Sequence, residues 1–197
     1  MKEKHTLALY GAPIGDFYGS YWEFLDRKPK DKKDAFKLRG RPHRITDDTI
    51  ATIAIAKACL DNAKNKKGME WNAKRCLLDI CATHRAPYGA RFYQWLAMQG
   101  QIDTESLGNG ASMRISPVGL SAKTLEEARD NARLATKVSH SHPIAIVYAE
   151  IVAQLVFLAK EGHTIEEMKG FLKKEYPSEW TLIDNCELEG RLARRAT

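Results

Sequence analysis

The sequence predicts an all-α fold, and three observations carry that reading. Apolar residues recur at spacings of three and four in one stretch after another, the period of a helix with one buried face. Alternating apolar and polar residues bounded by turn pairs, the mark of a half-buried strand, are almost missing. Polar segments rich in Gly, Asn and Lys punctuate the apolar stretches. At 197 residues the chain can bury one core without disulfide or metal staples, so residues 1–197 are expected to form a single domain.

Taken in order, "MKEKHTLALYGAPIG" starts charged and turns apolar, and with "DFYGSYWEF" it reads as the first core helix. Gly11, Gly15 and Gly19 fall every fourth residue, a small-residue stripe that would let another helix or a ligand come close. A basic loop follows at about 27–44. Helical periodicity resumes from Ile50 to Leu60 and, after the loop "NAKNKKG", from Trp71 to Ile80. Tyr88 and Gly89 precede an aromatic helix from Phe92 to Met98. The loop "GQIDTESLGNG" leads through Gly108, Asn109 and Gly110 into a short helix. Leu125 to Val138 forms the next helix, and His140 and His142 precede the most apolar run, Ile144 to Lys160. That run carries Glu150 and Gln154 and is shorter than a typical membrane span, so it is expected to be a buried central helix.

The net charge of +6 gathers in the basic loop and in a basic tail at 190–197. Such runs attract phosphates of any kind, but apart from Phe36 no aromatic residues interleave with them as a single-strand platform would require, so nucleic acid is not the expected partner. Neither a secretory signal with a cleavage site nor a membrane span is evident, and a cytoplasmic location is expected. The four cysteines lack the paired spacing of a zinc site and should be reduced.

Several segments carry two readings each. In Thr46-Asp47-Asp48-Thr49, Thr46 is a good N-cap and the two aspartates suit the positive end of a helix dipole. The same hydroxyl and carboxylates could also give a hard divalent cation three oxygen ligands from one turn. The Gly108–Gly110 loop could cradle a diphosphate on its backbone N–H groups or simply punctuate a helix, and it fits neither the P-loop nor the dinucleotide fingerprint. His140 and His142, two residues apart, do not share a helix face; a hydrogen-bond donor at a helix start is the better reading than a zinc pair. Glu23 follows Tyr21 and Trp22 just before the basic loop, where a carboxylate could reach into a cleft or face solvent.

Taken together, "GAPIGDFYGSYWEF", "ITDDTIATIAIAKACL", "YGARFYQWL", "GNGASMRISPVGL" and "SHSHPIAI" resemble, in order and spacing, the ADP-ribosylglycohydrolase family, which includes the dinitrogenase-reductase-activating glycohydrolases. The resemblance implies a compact all-α domain with two Mg²⁺ or Mn²⁺ ions in a cleft that holds ADP-ribose or an ADP-ribosylated protein. By motif it makes Thr46, Asp47 and Asp48 metal ligands. Glu23 and Asp47 become catalytic candidates, and Tyr88, Gly89, Gly108, Asn109, Gly110, Met113 and His140 ligand-binding ones. The family pattern continues to a Gly-Gly-Asp-x-Asp-Thr type segment that supplies the remaining metal ligands. No Asp-x-Asp followed by Thr or Ser occurs after residue 150, and Asp184, Glu187 and Glu189 do not replace it, so one ion or none is expected here. The function expected is therefore metal-dependent hydrolysis at the ribose anomeric carbon of an ADP-ribosyl conjugate. The alternatives are an ADP-ribose or nucleotide-binding module without turnover and a structural or assembly protein with the same fold. A C-terminally shortened domain would also leave apolar surface on the remaining helices, for self-association or a partner chain to cover.

Overall fold

The computed structural model describes residues 2–23, 25, 29–38, 40 and 42–184, with no strand among them. The basic tail at 190–197, Cys186, Glu187 and Glu189 lie outside the described residues, as does part of the basic loop. The helices are α1 (Lys2–Gly19), α2 (Lys32–Ala35), α3 (Asp47–Lys64), α4 (Met69–Cys81), α5 (Ala90–Ala97), α6 (Ser116–Ser121), α7 (Leu125–Lys137), α8 (Pro143–Glu161), α9 (Ile165–Glu175) and α10 (Pro177–Asp184). A 3₁₀ turn at Ser112–Arg114 precedes α6. Each helix expected from apolar periodicity is present.

The centre consists of α3 against α4 and α7 against α8, with α6 wedged between α3 and α8. Alanine makes this packing close. Ala51, Ala54 and Ala58 on α3, Ala128, Ala132 and Ala135 on α7, and Ala149 and Ala153 on α8 are wholly buried or nearly so. Small side chains at helical spacing let the axes approach while Ile55, Leu77 and Trp95 fill the volume between them. The tightest approach is at Gly119 on α6, where a Cβ would lie 2.3 Å from the Ala153 carbonyl oxygen of α8.

Among the described residues, α8 is a helix long and apolar enough to cross a membrane by length and composition. Its polar residues are nonetheless placed for a protein interior. Glu150 is buried and accepts a 2.6 Å hydrogen bond from Arg133 Nε on α7, and Gln154 accepts one from the Tyr176 hydroxyl.

Two expectations need correction. The stripe of Gly11, Gly15 and Gly19 packs against nothing among the described residues, since a Cβ at any of the three would find open space. Only the C-terminal part of α1 is used at the site, and Leu9, Tyr10 and Ile14 are exposed. The basic loop contains one helical turn, α2, whose Ala35 carbonyl accepts a hydrogen bond from the Trp22 indole. Among the described residues, apolar side chains also line a groove elsewhere. Val152, Leu155, Val156 and Ala159 of α8 form, with Ile165, Met168 and Leu172 of α9 and Trp180 of α10, a groove of about 490 Å³.

Gly119 gives a direct test of the close packing. Gly119→Ala must displace either α8 or Val156, whose Cβ would be 2.8 Å away, and should lower stability by about 1–3 kcal/mol in urea unfolding.

Candidate active site

Three chain segments meet a helix N-terminus to form the site, and the first of them is held by a residue the sequence reading passed over. Asp16, buried near the end of α1, accepts hydrogen bonds from the Thr46 backbone N–H at 2.8 Å and the Thr46 hydroxyl at 2.7 Å. It also accepts from the Thr49 N–H at 3.2 Å and the Thr49 hydroxyl at 2.6 Å. A helix start leaves its first N–H groups unpartnered. Here a carboxylate from another helix takes one of them, and Thr46 as N-cap receives only a long 3.4 Å bond from Asp48 N–H. Asp47 and Asp48 thus stand in the first turn of α3, half-buried, with their side chains released from capping.

The second segment is the start of α5. Gly89 lies at its N-terminus, and Arg91 reaches back to donate to the carbonyls of Thr104 at 2.6 Å and Glu105 at 3.0 Å. That clamp, with a hydrogen bond from the Thr104 hydroxyl to the Ser139 carbonyl, pins the loop that carries Gly108, Asn109 and Gly110. The third segment is the loop itself, which turns into the 3₁₀ helix as Met113 N–H donates to the Asn109 carbonyl at 3.0 Å. His140, at the approach to α8, closes the wall. Its Nε2 lies so near Gly110 that a Cβ there would be 3.0 Å away, which explains a glycine at this position.

Together these residues bound a cleft of about 240 Å³. Asp47, Gly89, Gly108, Asn109, Gly110, Met113 and His140 line it, so most of the expected residues converge although they come from distant parts of the chain. Phe92 and Arg114 line it as well and were not anticipated. Thr46 and Asp48 stand beside the cleft on the same turn as Asp47. Glu23 sits exposed in the turn after α1, near enough for its charge to act on Asp47. Tyr88 does not line the cleft. Its ring is buried against Phe92 and its hydroxyl donates to the His84 carbonyl at 3.0 Å, because the turn before α5 directs it into the core.

The electrostatics divide the site in two. Partial burial raises the pKa of Asp47, an effect opposed by its own backbone N–H and reinforced by Glu23 and Asp16. Burial raises Asp48 too, and Asp16 and Asp47 add to it. Glu23 is raised by burial, lowered by Arg44, and raised again by Asp48 and Asp16. Carboxylates that crowd one another in this way are stabilised by a cation among them. The donors fit a hard cation in kind, as the Thr46 hydroxyl and the Asp47 and Asp48 carboxylates are all oxygen ligands. They fall short in number, for among the described residues no three His, Cys, Asp or Glu side chains gather to hold a metal ion.

The opposite wall is neutral or cationic. Arg114 is 1% exposed and has no carboxylate partner among the described residues; its guanidinium stands 5.3 Å over the Phe92 ring and donates to the Ser139 hydroxyl at 2.6 Å, while its Nε finds no partner among them. Burial lowers its pKa to about 10, so it remains charged at neutral pH. Burial, and then the Arg114 charge, lowers His140 to about 3.

Residues 1–196 match the profile described as ADP-ribosylglycohydrolase. The chain belongs to the ADP-ribosylglycohydrolase family. It is also similar to the ADP-ribosylarginine hydrolase Tri1 of Pseudomonas putida (strain GB-1), with 26% identity over 179 residues that cover 81% of this chain and 47% of the relative. The chain therefore spans about half the length of the curated relative it matches. In this member of the family the motifs read from the sequence supply most of the cleft, but Asp16, Phe92, Arg114 and Ser139 escaped notice. Asp16 and Arg114 each lay inside a quoted motif. Their isolation among apolar neighbours, "IGDFY" and "SMRIS", was the signal available.

Two measurements check this geometry. Asp16→Ala strands two N–H groups and two hydroxyls, and should cost on the order of 3 kcal/mol in urea unfolding. His140 is neutral in the fold with a pKa near 3 against an ordinary 6.5, so the unfolded chain takes up the proton first as pH falls. The stability His140 contributes is complete above about pH 6.5 and is lost progressively toward pH 3. Against His140→Gln, the difference in unfolding free energy should be flat above that pH and move in favour of the variant below it.

Proposed function

We propose that this chain acts on ADP-ribosyl conjugates, hydrolysing the bond at the anomeric carbon of the distal ribose. The observation that carries the reading is the convergence of Asp47 with the glycine loops and His140 on one cleft. At about 240 Å³ the cleft is below the usual 300–1,000 Å³ of ligand pockets, which suits the ribose and phosphate portion of the ligand with the remainder lying outside it. Backbone N–H groups of the Gly108–Gly110 loop and the α5 start at Gly89 would receive the phosphates. The buried Arg114 adds positive potential behind that wall.

Roles within the site follow from protonation. His140, neutral across the working range, binds and orients the ligand and is no proton carrier. Acid and base work falls to carboxylates, whose pKa values are raised by burial and by neighbouring carboxylates. Asp47 lies at the cleft wall and would stabilise positive charge developing at the anomeric carbon. Glu23, one turn beyond α1, would move the proton. Asp47, Asp48 and the Thr46 hydroxyl would hold Mg²⁺ or Mn²⁺ on their open side, and such a cation supplies polarisation of sugar oxygens and water when bound.

By its name the Pseudomonas putida relative is an ADP-ribosylarginine hydrolase, which makes ADP-ribosylarginine the first conjugate to assay. A reducing, cytoplasmic setting goes with this reading, in which the buried thiols of Cys59, Cys76 and Cys81 stay free.

The test is calorimetric titration of ADP-ribose into the purified chain with Mg²⁺ and with EDTA, followed by release of ADP-ribose from ADP-ribosylarginine. Cation-dependent binding and release, both abolished or reduced at least about a hundredfold in Asp47→Ala, are expected. The shortfall of metal ligands favours one other outcome, in which binding survives EDTA without release and the chain is an ADP-ribose-binding module. Absence of binding in both buffers would leave the structural reading.

A further inference from the structure

His140 can carry its single ring proton on either nitrogen, and the residues behind it choose. Ser139 is 2% exposed, and its hydroxyl lies 2.6 Å from an Arg114 guanidinium nitrogen and 3.0 Å from His140 Nδ1. A guanidinium only donates, so the Ser139 oxygen accepts from Arg114. Its own hydrogen must then find an acceptor in a buried place, and Nδ1 is the partner the geometry supplies. The reverse arrangement, with Nδ1 donating to Ser139, would strand the hydroxyl hydrogen among buried groups. At the far edge of the ring, Nε2 has no hydrogen-bond partner among the described residues and faces Gly110 at the cleft wall.

We propose that Arg114 and Ser139 form a tautomer lock: the chain of donors from guanidinium to hydroxyl to Nδ1 leaves the proton of His140 on Nε2. The imidazole is thereby a fixed neutral donor aimed at an acceptor oxygen of the ligand. Ser139 is on this account a positioning residue, acting through His140. Only the last clause, on the ligand oxygen, rests on the function proposed above; the tautomer itself does not.

The test reads the two apart. Long-range ¹H–¹⁵N spectra of the ¹⁵N-histidine-labelled chain, without ligand, should show the Nδ1 of His140 unprotonated and Nε2 protonated at neutral pH. A protonated Nδ1 in the wild type would overturn the lock, whatever ADP-ribose does. In Ser139→Ala the ring should shift toward a mixture of tautomers and ADP-ribose affinity should fall about tenfold, and Ser139→Thr should restore both. In a His140→Gln background, where an amide N–H replaces Nε2–H and no tautomer exists, Ser139→Ala should have no further effect on affinity. An equal loss in both backgrounds would make Ser139 merely structural and sink the proposal. Should Ser139→Ala fail to fold by circular dichroism, the wild-type spectrum decides. A locked tautomer without any ADP-ribose binding would uphold the lock and remove the ligand assigned to the cleft.

Discussion

Asp16 receives both N–H groups and both hydroxyls of Thr46 and Thr49, and so joins α1 to the first turn of α3 through a single carboxylate. Ordinarily the N-cap and the acidic residues of the first turn share the work of satisfying a helix start. When a carboxylate from another helix takes the buried side of that turn, Asp47 and Asp48 become redundant as caps. They can then be placed for charge, on the open side, where Glu23 also acts. The two adjacent aspartates at the helix start are freed by a third, Asp16, from the far side of the basic loop.

The consequence is a site with a negative lip and a neutral-to-positive wall. Burial, and then one another's charge, raises the pKa values of the carboxylates at the lip, while the wall keeps His140 uncharged through burial and the Arg114 guanidinium. A burial of charge without an opposing carboxylate is unfavourable, and the Nε of Arg114 without a partner adds to the cost. Phe92 and Ser139 offset part of it, by ring contact and by hydrogen bond. Stability is given up at one buried point, and the potential it creates faces a cleft where an anionic ligand would be received.

The fold was legible because it is written in local periodicity. Alanine-rich stretches at spacings of three and four predicted α3, α7 and α8, and Glu150 and Gln154 marked α8 as a helix with protein partners before those partners were known. Of the site, what sequence could reach were the residues that sit in recognisable segments: Asp47, the two glycine loops and His140. It could not reach pairings across long separations. The apolar neighbours of Asp16 mark it as a candidate for burial but do not name Thr46 and Thr49 as its partners, and nothing local distinguishes Ser139 from a loop serine. Tyr88 shows the converse error. Its neighbour Gly89 lines the cleft, but adjacent residues at a helix start point in different directions, and the ring went to the core. The glycine stripe of α1 misled for a related reason, since spacing alone does not say that another element lies opposite it.

Wall and lip of the cleft therefore differ in physical character. The cleft wall is tied down: Arg91 clamps the loop, Gly110 makes room for His140, and the Ser139 hydroxyl joins the Arg114 guanidinium to the ring. The cation-facing lip is not, as its carboxylates stand in one another's field without a third metal-holding partner among the described residues. On the function proposed above, ligand recognition would draw on the wall built from α5, the glycine loop and the start of α8, and cation recognition on Asp47 and Asp48 with further oxygen donors around them. Affinity for the ligand and dependence on the cation would then be separable, because they rest on different residues.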